Sequence, residues 1–238
     1  MIRVAILLVM AAALSARAGE IVFESKPART HLIELYTSEG CSSCLTAEAW
    51  MTSLKNEPRL WQDFVPVAFH VDYWDHLGWR DPLASPKWTE RQTEYSTRWK
   101  QESVYTPAFA LDGTEWHQGV LTAATEPAGV LKIAINGDRV KATYKPASEP
   151  GKRYDIHVAQ LAFNVAADVT AGENSGRKLI HDFVVVGLTN ETLKNGAKEL
   201  KLSAPSTLPN ADPRRALAAW ITLAGQVEPI QAVGGWLP

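Results

Sequence analysis

The feature that most constrains this chain is a pair of cysteines placed where a strand pattern gives way to a helix pattern. Residues 31–36 (HLIELY) have strand character and run through Thr37-Ser38-Glu39-Gly40 into Cys41-Ser42-Ser43-Cys44, which hold both cysteines of the sequence. Leu45 to Asn56 are good helix formers, with Ala47, Trp50, Met51 and Leu54 spaced for one buried face, and Pro58 ends them. Phe64 to Val71 (FVPVAFHV) then form a second apolar run of strand length. Strand, tight loop, helix and strand make a β-α-β opening, a unit that favours parallel pairing.

That position gives the cysteines a chemical use. The first turn of a helix has unpaired backbone N–H groups and a partial positive charge, so a thiolate at Cys41 is favoured. Cys41 is therefore the expected nucleophile and the more exposed thiol. Cys44, one turn further on, is placed to attack the mixed disulfide that Cys41 would form, which releases the product and closes the Cys41–Cys44 bond. Ser42 and Ser43 can add hydroxyl donors near a substrate, while Glu39 opposes the thiolate by like charge. Other readings of the pair stay open. A structural disulfide closing so short a loop would add little stability. A zinc site would call for a second cysteine pair, which the sequence lacks. Copper could be held by Cys41 and Cys44 with His70, and with His76 or His117 in reach.

Further along, Asp72 to Ser103 read as an insertion, in which Ser85-Pro86 opens a polar helix through about Gln101. Trp74, Trp79, Trp88 and Trp99 fall in it, as a small satellite core or as a groove for an unfolded client, with Trp74 the candidate contact. Asp72, Asp75 and His76 follow the second strand and read best as caps that hydrogen-bond the insertion. Tyr105 to Leu111 and Glu115 to Gly119 flank the turn Asp112-Gly113. From about Ala128 the pattern is one of strands and turns: Leu131 to Ile135 and Arg139 to Tyr144 around Asn136-Gly137-Asp138, then Tyr154 to Val165 and Lys178 to Leu188 around Thr170–Arg177, then Ala216 to Leu223. The expected architecture is an α/β domain over 28–127, with the insertion at 72–103, followed by a β-rich, sandwich-like domain over 128–238.

Residues 1–18 have the form of an export signal: a charged start at Arg3, the apolar run Val4 to Leu14, and Ala16-Arg17-Ala18 as a cleavage site. The expected product is periplasmic or secreted, with no transmembrane segment left after cleavage. It would carry 22 basic and 26 acidic side chains, a balance that argues against a nucleic-acid partner.

Three blocks carry a resemblance: Glu34 to Cys44 (ELYTSEGCSSC), Phe69 to Asp75 with Leu77-Gly78-Trp79, and Val104-Tyr105-Thr106-Pro107. They resemble the secreted thioredoxin-like proteins of domain-of-unknown-function family 1223, and Gly172 to Arg177 with His181 extend the likeness more loosely. The resemblance implies an α/β thioredoxin-like domain with the CxxC pair at its active end and no cofactor beyond the redox-active disulfide. The implied activity is thiol–disulfide exchange with exported protein thiols and an unidentified redox partner. Thr106-Pro107 would correspond to the loop whose proline follows a cis peptide bond and lies against the disulfide, and Glu34 would stand near the buried acid that takes a proton from the second cysteine. Leu45-Thr46 depart from the pair of prolines that often follows the second cysteine in this family. A copper-handling protein and a non-catalytic interaction module of the same fold are the rival expectations.

Overall fold

Seven consecutive residues, Phe64–His70, are all buried, which a strand tolerates only when both of its faces are covered. The computed structural model, which describes residues 19–148, 151–205, 208 and 211–238, shows how that is done. The expected export signal over residues 1–18 lies outside the described residues. In chain order the first half forms β1 (Ile21–Glu24), β2 (His31–Thr37), α1 (Cys44–Ser53), β3 (Phe64–His70), α2 (Pro86–Arg98), β4 (Ala108–Leu111) and β5 (Thr114–Glu115). The second half forms β6 (Val130–Asn136), β7 (Arg139–Lys145), β8 (Tyr154–Ala162), β9 (Val165–Asp168), β10 (Lys178–His181), β11 (Val184–Thr192), β12 (Ala197–Lys201), β13 (Arg215–Leu223) and β14 (Pro229–Trp236). The result is mostly β with two α-helices.

One mixed sheet of eight strands organises the molecule, in the order β14-β13-β8-β11-β3-β2-β4-β5. β2 and β3 pair in parallel, as the β-α-β reading requires, and β11 adds to the other edge of β3 in parallel. β4 runs antiparallel to β2, and the Asp112-Gly113 turn folds β5 back on β4. Alternation along β2 sends Leu35 and Glu34 to opposite faces. Phe109, paired with Leu35, meets Trp50 of α1, while Glu34 meets Arg91 and Tyr95 of α2, so the two helices cover opposite faces. This sheet crosses the boundary expected near residue 128, because β2 to β5 precede it and β8, β11, β13 and β14 follow it. The main core likewise unites Leu35, Met51 and Phe69 with Leu161, Phe183 and Trp220.

A second, antiparallel sheet, β1-β6-β7-β12, is built around the Asn136–Arg139 hairpin. Leu131, Ile133 and Ile135 of β6 alternate inward and share a cluster with Ile156, Val158, Leu217 and Ile221 of the large sheet. β1, β12 and β14 were not expected from pattern. Gly234 and Gly235 lower the strand propensity of β14, yet the packing demands them. A Cβ on Gly234 would stand 2.6 Å from the Trp61 ring, and one on Gly235 2.4 Å from the Phe23 ring.

The two long apolar runs of the second half each break, and the breaks matter for the site. Asn164 and Phe183 both take positive φ, ending β8 before β9 and separating β10 from β11. The β9–β10 hairpin is a separate two-stranded sheet whose connecting turn, Thr170–Arg177, reaches the CxxC loop.

Candidate active site

Cys41, in the loop between β2 and α1, is disulfide-bonded to Cys44, the first residue of α1. The helix begins at Cys44, so Cys41 lies just ahead of its first turn, with the Ser43 hydroxyl oxygen 3.3 Å from its Sγ. Against expectation, Cys41 is not the exposed thiol: both cysteines have 0% of their surface exposed. Distant parts of the chain are held against residues between and beside the two cysteines. The Ser42 backbone N–H (3.0 Å) and hydroxyl (2.8 Å) both donate to the Glu173 carboxylate. The Asn174 amide donates to the Glu39 carbonyl, and the Trp74 Cβ lies 3.0 Å from where a Cβ on Gly40 would sit. The Ser42 hydrogen bonds hold the exposed Glu173 carboxyl below the usual carboxylate range.

Several residues expected at a substrate surface meet at this end of the sheet. Tyr36 pairs with Ala108, so the loop carrying Pro107 leaves the sheet at the same end as the loop carrying Cys41. The Thr106–Pro107 peptide is cis, and the Trp74 indole N–H donates to the Thr106 hydroxyl at 2.7 Å. Trp79 donates to the Glu39 carboxylate, whereas Trp88 packs on Phe69 and Trp99 stacks on Tyr95. The insertion thus supplies two tryptophans to the site and two to the core. Asp72 accepts from the Thr89 hydroxyl and Asp75 from the Asp81 N–H, both as caps of the insertion.

Glu34 is buried as expected, but it faces α2 rather than the helix that carries Cys44. Its carboxylate accepts two hydrogen bonds from Arg91 (2.6 and 3.0 Å), one from Tyr95 and one from Tyr36. With those four bonds it is the anion of a buried ion pair, not a free base beside a thiol. The acid on the side of the cysteines is Glu48, four residues after Cys44 and therefore on the same face of α1. Glu48 accepts from the Thr37 hydroxyl (2.5 Å) and lies 2.7 Å from Nδ1 of His181. Burial alone would raise the Glu48 pKa, but the His181 charge and hydrogen bond outweigh it and lower the value. Burial likewise works against a charge on His181, yet Glu48 and Glu39 push its pKa up to about 10.

His70 occupies the end of β3, with Nδ1 2.7 Å from the Asp81 carboxylate. That carboxylate also accepts the N–H groups of Glu39 and Leu83, tying the CxxC loop to the insertion. The copper arrangement expected of Cys41, Cys44 and His70 calls for the reduced pair, and here the bridge is closed. The sulfurs are bonded to each other, His76 and His117 are exposed, and among the described residues His70 groups instead with Glu48 and His181. His181, Glu173 and Asn174 could not be placed at the CxxC by spacing, since each is about 130 residues away. Glu48 could have been, from its i+4 relation to Cys44.

The family described as "Protein of unknown function (DUF1223)" matches residues 32–222. A crystal structure of protein AGR_C_4864 from Agrobacterium tumefaciens is similar at 23% identity and a TM-score of 0.61, over 90% of this chain and 96% of that one. HBP35 of Porphyromonas gingivalis is similar at 11% identity and a TM-score of 0.57, over 89% of this chain and 76% of that one. At these identities the likeness is one of fold. No curated protein matches the chain.

Proposed function

This chain belongs to the DUF1223 family, and from that premise we propose that it is an exported thiol–disulfide exchange protein acting on protein substrates through Cys41 and Cys44. The observation that carries the reading is the Cys41–Cys44 disulfide set between β2 and the start of α1. No helix among the described residues is long and apolar enough to cross a membrane, which is compatible with release after export. The arrangement β3-β2-β4-β5, with α1 and α2 on opposite faces, is the thioredoxin-like core of this reading. It lacks a helix after β5, where the chain passes directly into the strands of the second half.

In this mechanism the Cys41 thiolate of the reduced protein attacks a client disulfide and releases one client sulfur as thiolate, and Cys44 then attacks Cys41 to close the Cys41–Cys44 bond and release the other. In the reverse direction a client thiolate attacks Cys41 of the closed bridge and displaces Cys44, while the loop through Thr106 and Pro107 with Trp74 receives the extended client. Ser43 donates to the Cys41 sulfur. Because the sulfurs are covered, a client gains access when the Glu173–Asn174 turn lifts from Ser42 and Glu39.

The deciding measurement equilibrates the protein against glutathione buffers and reads the thiol state at each ratio. An exchange protein gives a potential between about −270 and −120 mV, whereas a structural disulfide stays oxidised below about −300 mV. The Cys44→Ser protein should trap mixed disulfides with exported clients and the Cys41→Ser protein should not. The covered sulfurs favour a second reading, an interaction module with an inert bridge, and a potential below about −300 mV would establish it.

A further inference from the structure

Beside the CxxC loop Nε2 of His70 is a buried polar atom with no hydrogen-bond partner, while in the adjoining residues Nε2 of His181 and Oε1 of Glu39 stand as an ion pair at 3.3 Å. Their residues are 1%, 2% and 0% exposed. A buried polar atom without a partner is costly, so Nε2 of His70 calls for an occupant. The His70 ring is fixed from behind, since its Nδ1 is held by the Asp81 carboxylate at 2.7 Å while Nε2 is left free. A carboxylate bound to one nitrogen of a histidine whose other nitrogen is open is how proteins orient a metal-ligating imidazole. His70 and His181 stand with rings perpendicular and centroids 4.9 Å apart, and a nitrogen of each lies within 4.8 Å of the other and of a Glu48 oxygen.

We propose that Glu48, His70 and His181 form a binding site for one zinc-class divalent transition ion. The donor set decides the class. Two imidazoles with a carboxylate suit a borderline divalent ion, whereas Cu(I) would seek the thiolates, which take no part here. Zinc bonds of about 2.0–2.2 Å at tetrahedral angles set ligand atoms about 3.4 Å apart, so the cluster, whose ligand atoms lie within 4.8 Å of one another, would close by up to about 1.4 Å on binding. The ion would join β3, α1 and β10, fastening the hairpin of the second half to the helix that begins at Cys44. The site uses neither cysteine, so it stands or falls separately from exchange at Cys41–Cys44.

The test is a titration of the chelator-stripped oxidised protein with Zn2+ against a chromophoric chelator. Binding of one ion per chain is expected, with affinity kept in the Cys41→Ser/Cys44→Ser protein and lowered at least tenfold in His70→Gln and in Glu48→Gln. Asp81→Asn retains every ligand and should weaken binding about tenfold to a hundredfold through the lost orientation of His70. It serves if His70→Gln fails to fold, as judged by circular dichroism. With Co2+ the spectrum should lack a thiolate charge-transfer band, even in reduced protein. Absence of stoichiometric binding to folded protein would mean that the cluster holds water or its own ion pairs, and would overturn the proposal. So would binding that is lost with the cysteines but indifferent to His70, Glu48 and Asp81.

Discussion

Glu34 was the expected base of the reaction and is found instead in a buried ion pair, a reassignment that Glu34→Gln tests directly. Arg91 approaches Glu34 at 2.6 Å, with side chains 10% and 0% exposed, and its guanidinium packs over the rings of Phe69, Tyr95 and Trp220. Burial alone would lower the Arg91 pKa, but the Glu34 charge more than offsets it and raises the value well above normal. Glu34→Gln leaves that cation buried without a counter-ion. Removing one partner of such a pair costs about 3–5 kcal/mol, and at about 2–4 °C per kcal/mol for a chain of this size the melting temperature should fall by about 6–20 °C. Arg91→Met should cost a similar amount by stranding the carboxylate. The double variant should lose less than the sum of the two, by about 1–3 kcal/mol. Differential scanning calorimetry and urea titration measure these quantities. Thiol exchange, followed well below the melting temperature, should stay within about twofold of the parent, because a general base contributes about 10²–10⁴-fold and Glu34 is none. A hundredfold loss of exchange in folded Glu34→Gln, with stability unchanged, would refute the reasoning and return Glu34 to the mechanism.

Two further outcomes are expected. His157 is buried against Trp220 and hydrogen-bonded to Asn190 and Thr222, and burial, reinforced by the Arg91 charge, pushes its pKa down to about 4. A histidine depressed in the fold binds its proton first in the unfolded chain, so its contribution is complete above pH 6.5 and is lost as pH falls from 6.5 to about 4. The loss amounts to about 3 kcal/mol, and His157→Gln should flatten urea-derived stability over that interval; an unchanged slope would contradict the assignment. Glu173→Gln removes the negative charge held on the Ser42 N–H and hydroxyl. The reduced Cys41 should then alkylate at lower pH, and the Cys41–Cys44 potential should move upward; no change in either, or a move downward, would show that the turn does not govern the thiol.

Much of the first half was legible because its signals are local. The Asp112-Gly113 and Asn136-Gly137 turns, the Ser85-Pro86 helix start and the apolar spacing of α1 each act within a few residues of themselves. The cysteine pair was legible as a CxxC motif at a strand–helix junction for the same reason. What pattern could not decide is which face of β2 looks toward which helix, and that choice separates Glu34 from Glu48. The two faces of a strand buried on both sides carry no amphipathic contrast, so Glu34 could be known only to be buried, not to be claimed by Arg91. Nor could pattern foresee that positive φ at Asn164 and Phe183 turns two apparent long strands into a separate hairpin. That hairpin carries His181 to Glu48 and Glu173 to Ser42, across 133 and 131 residues. The sequence by itself determined where a CxxC sulfur pair would stand; only tertiary packing, which alone brings such remote residues into contact, decided which charges surround it and that it is buried.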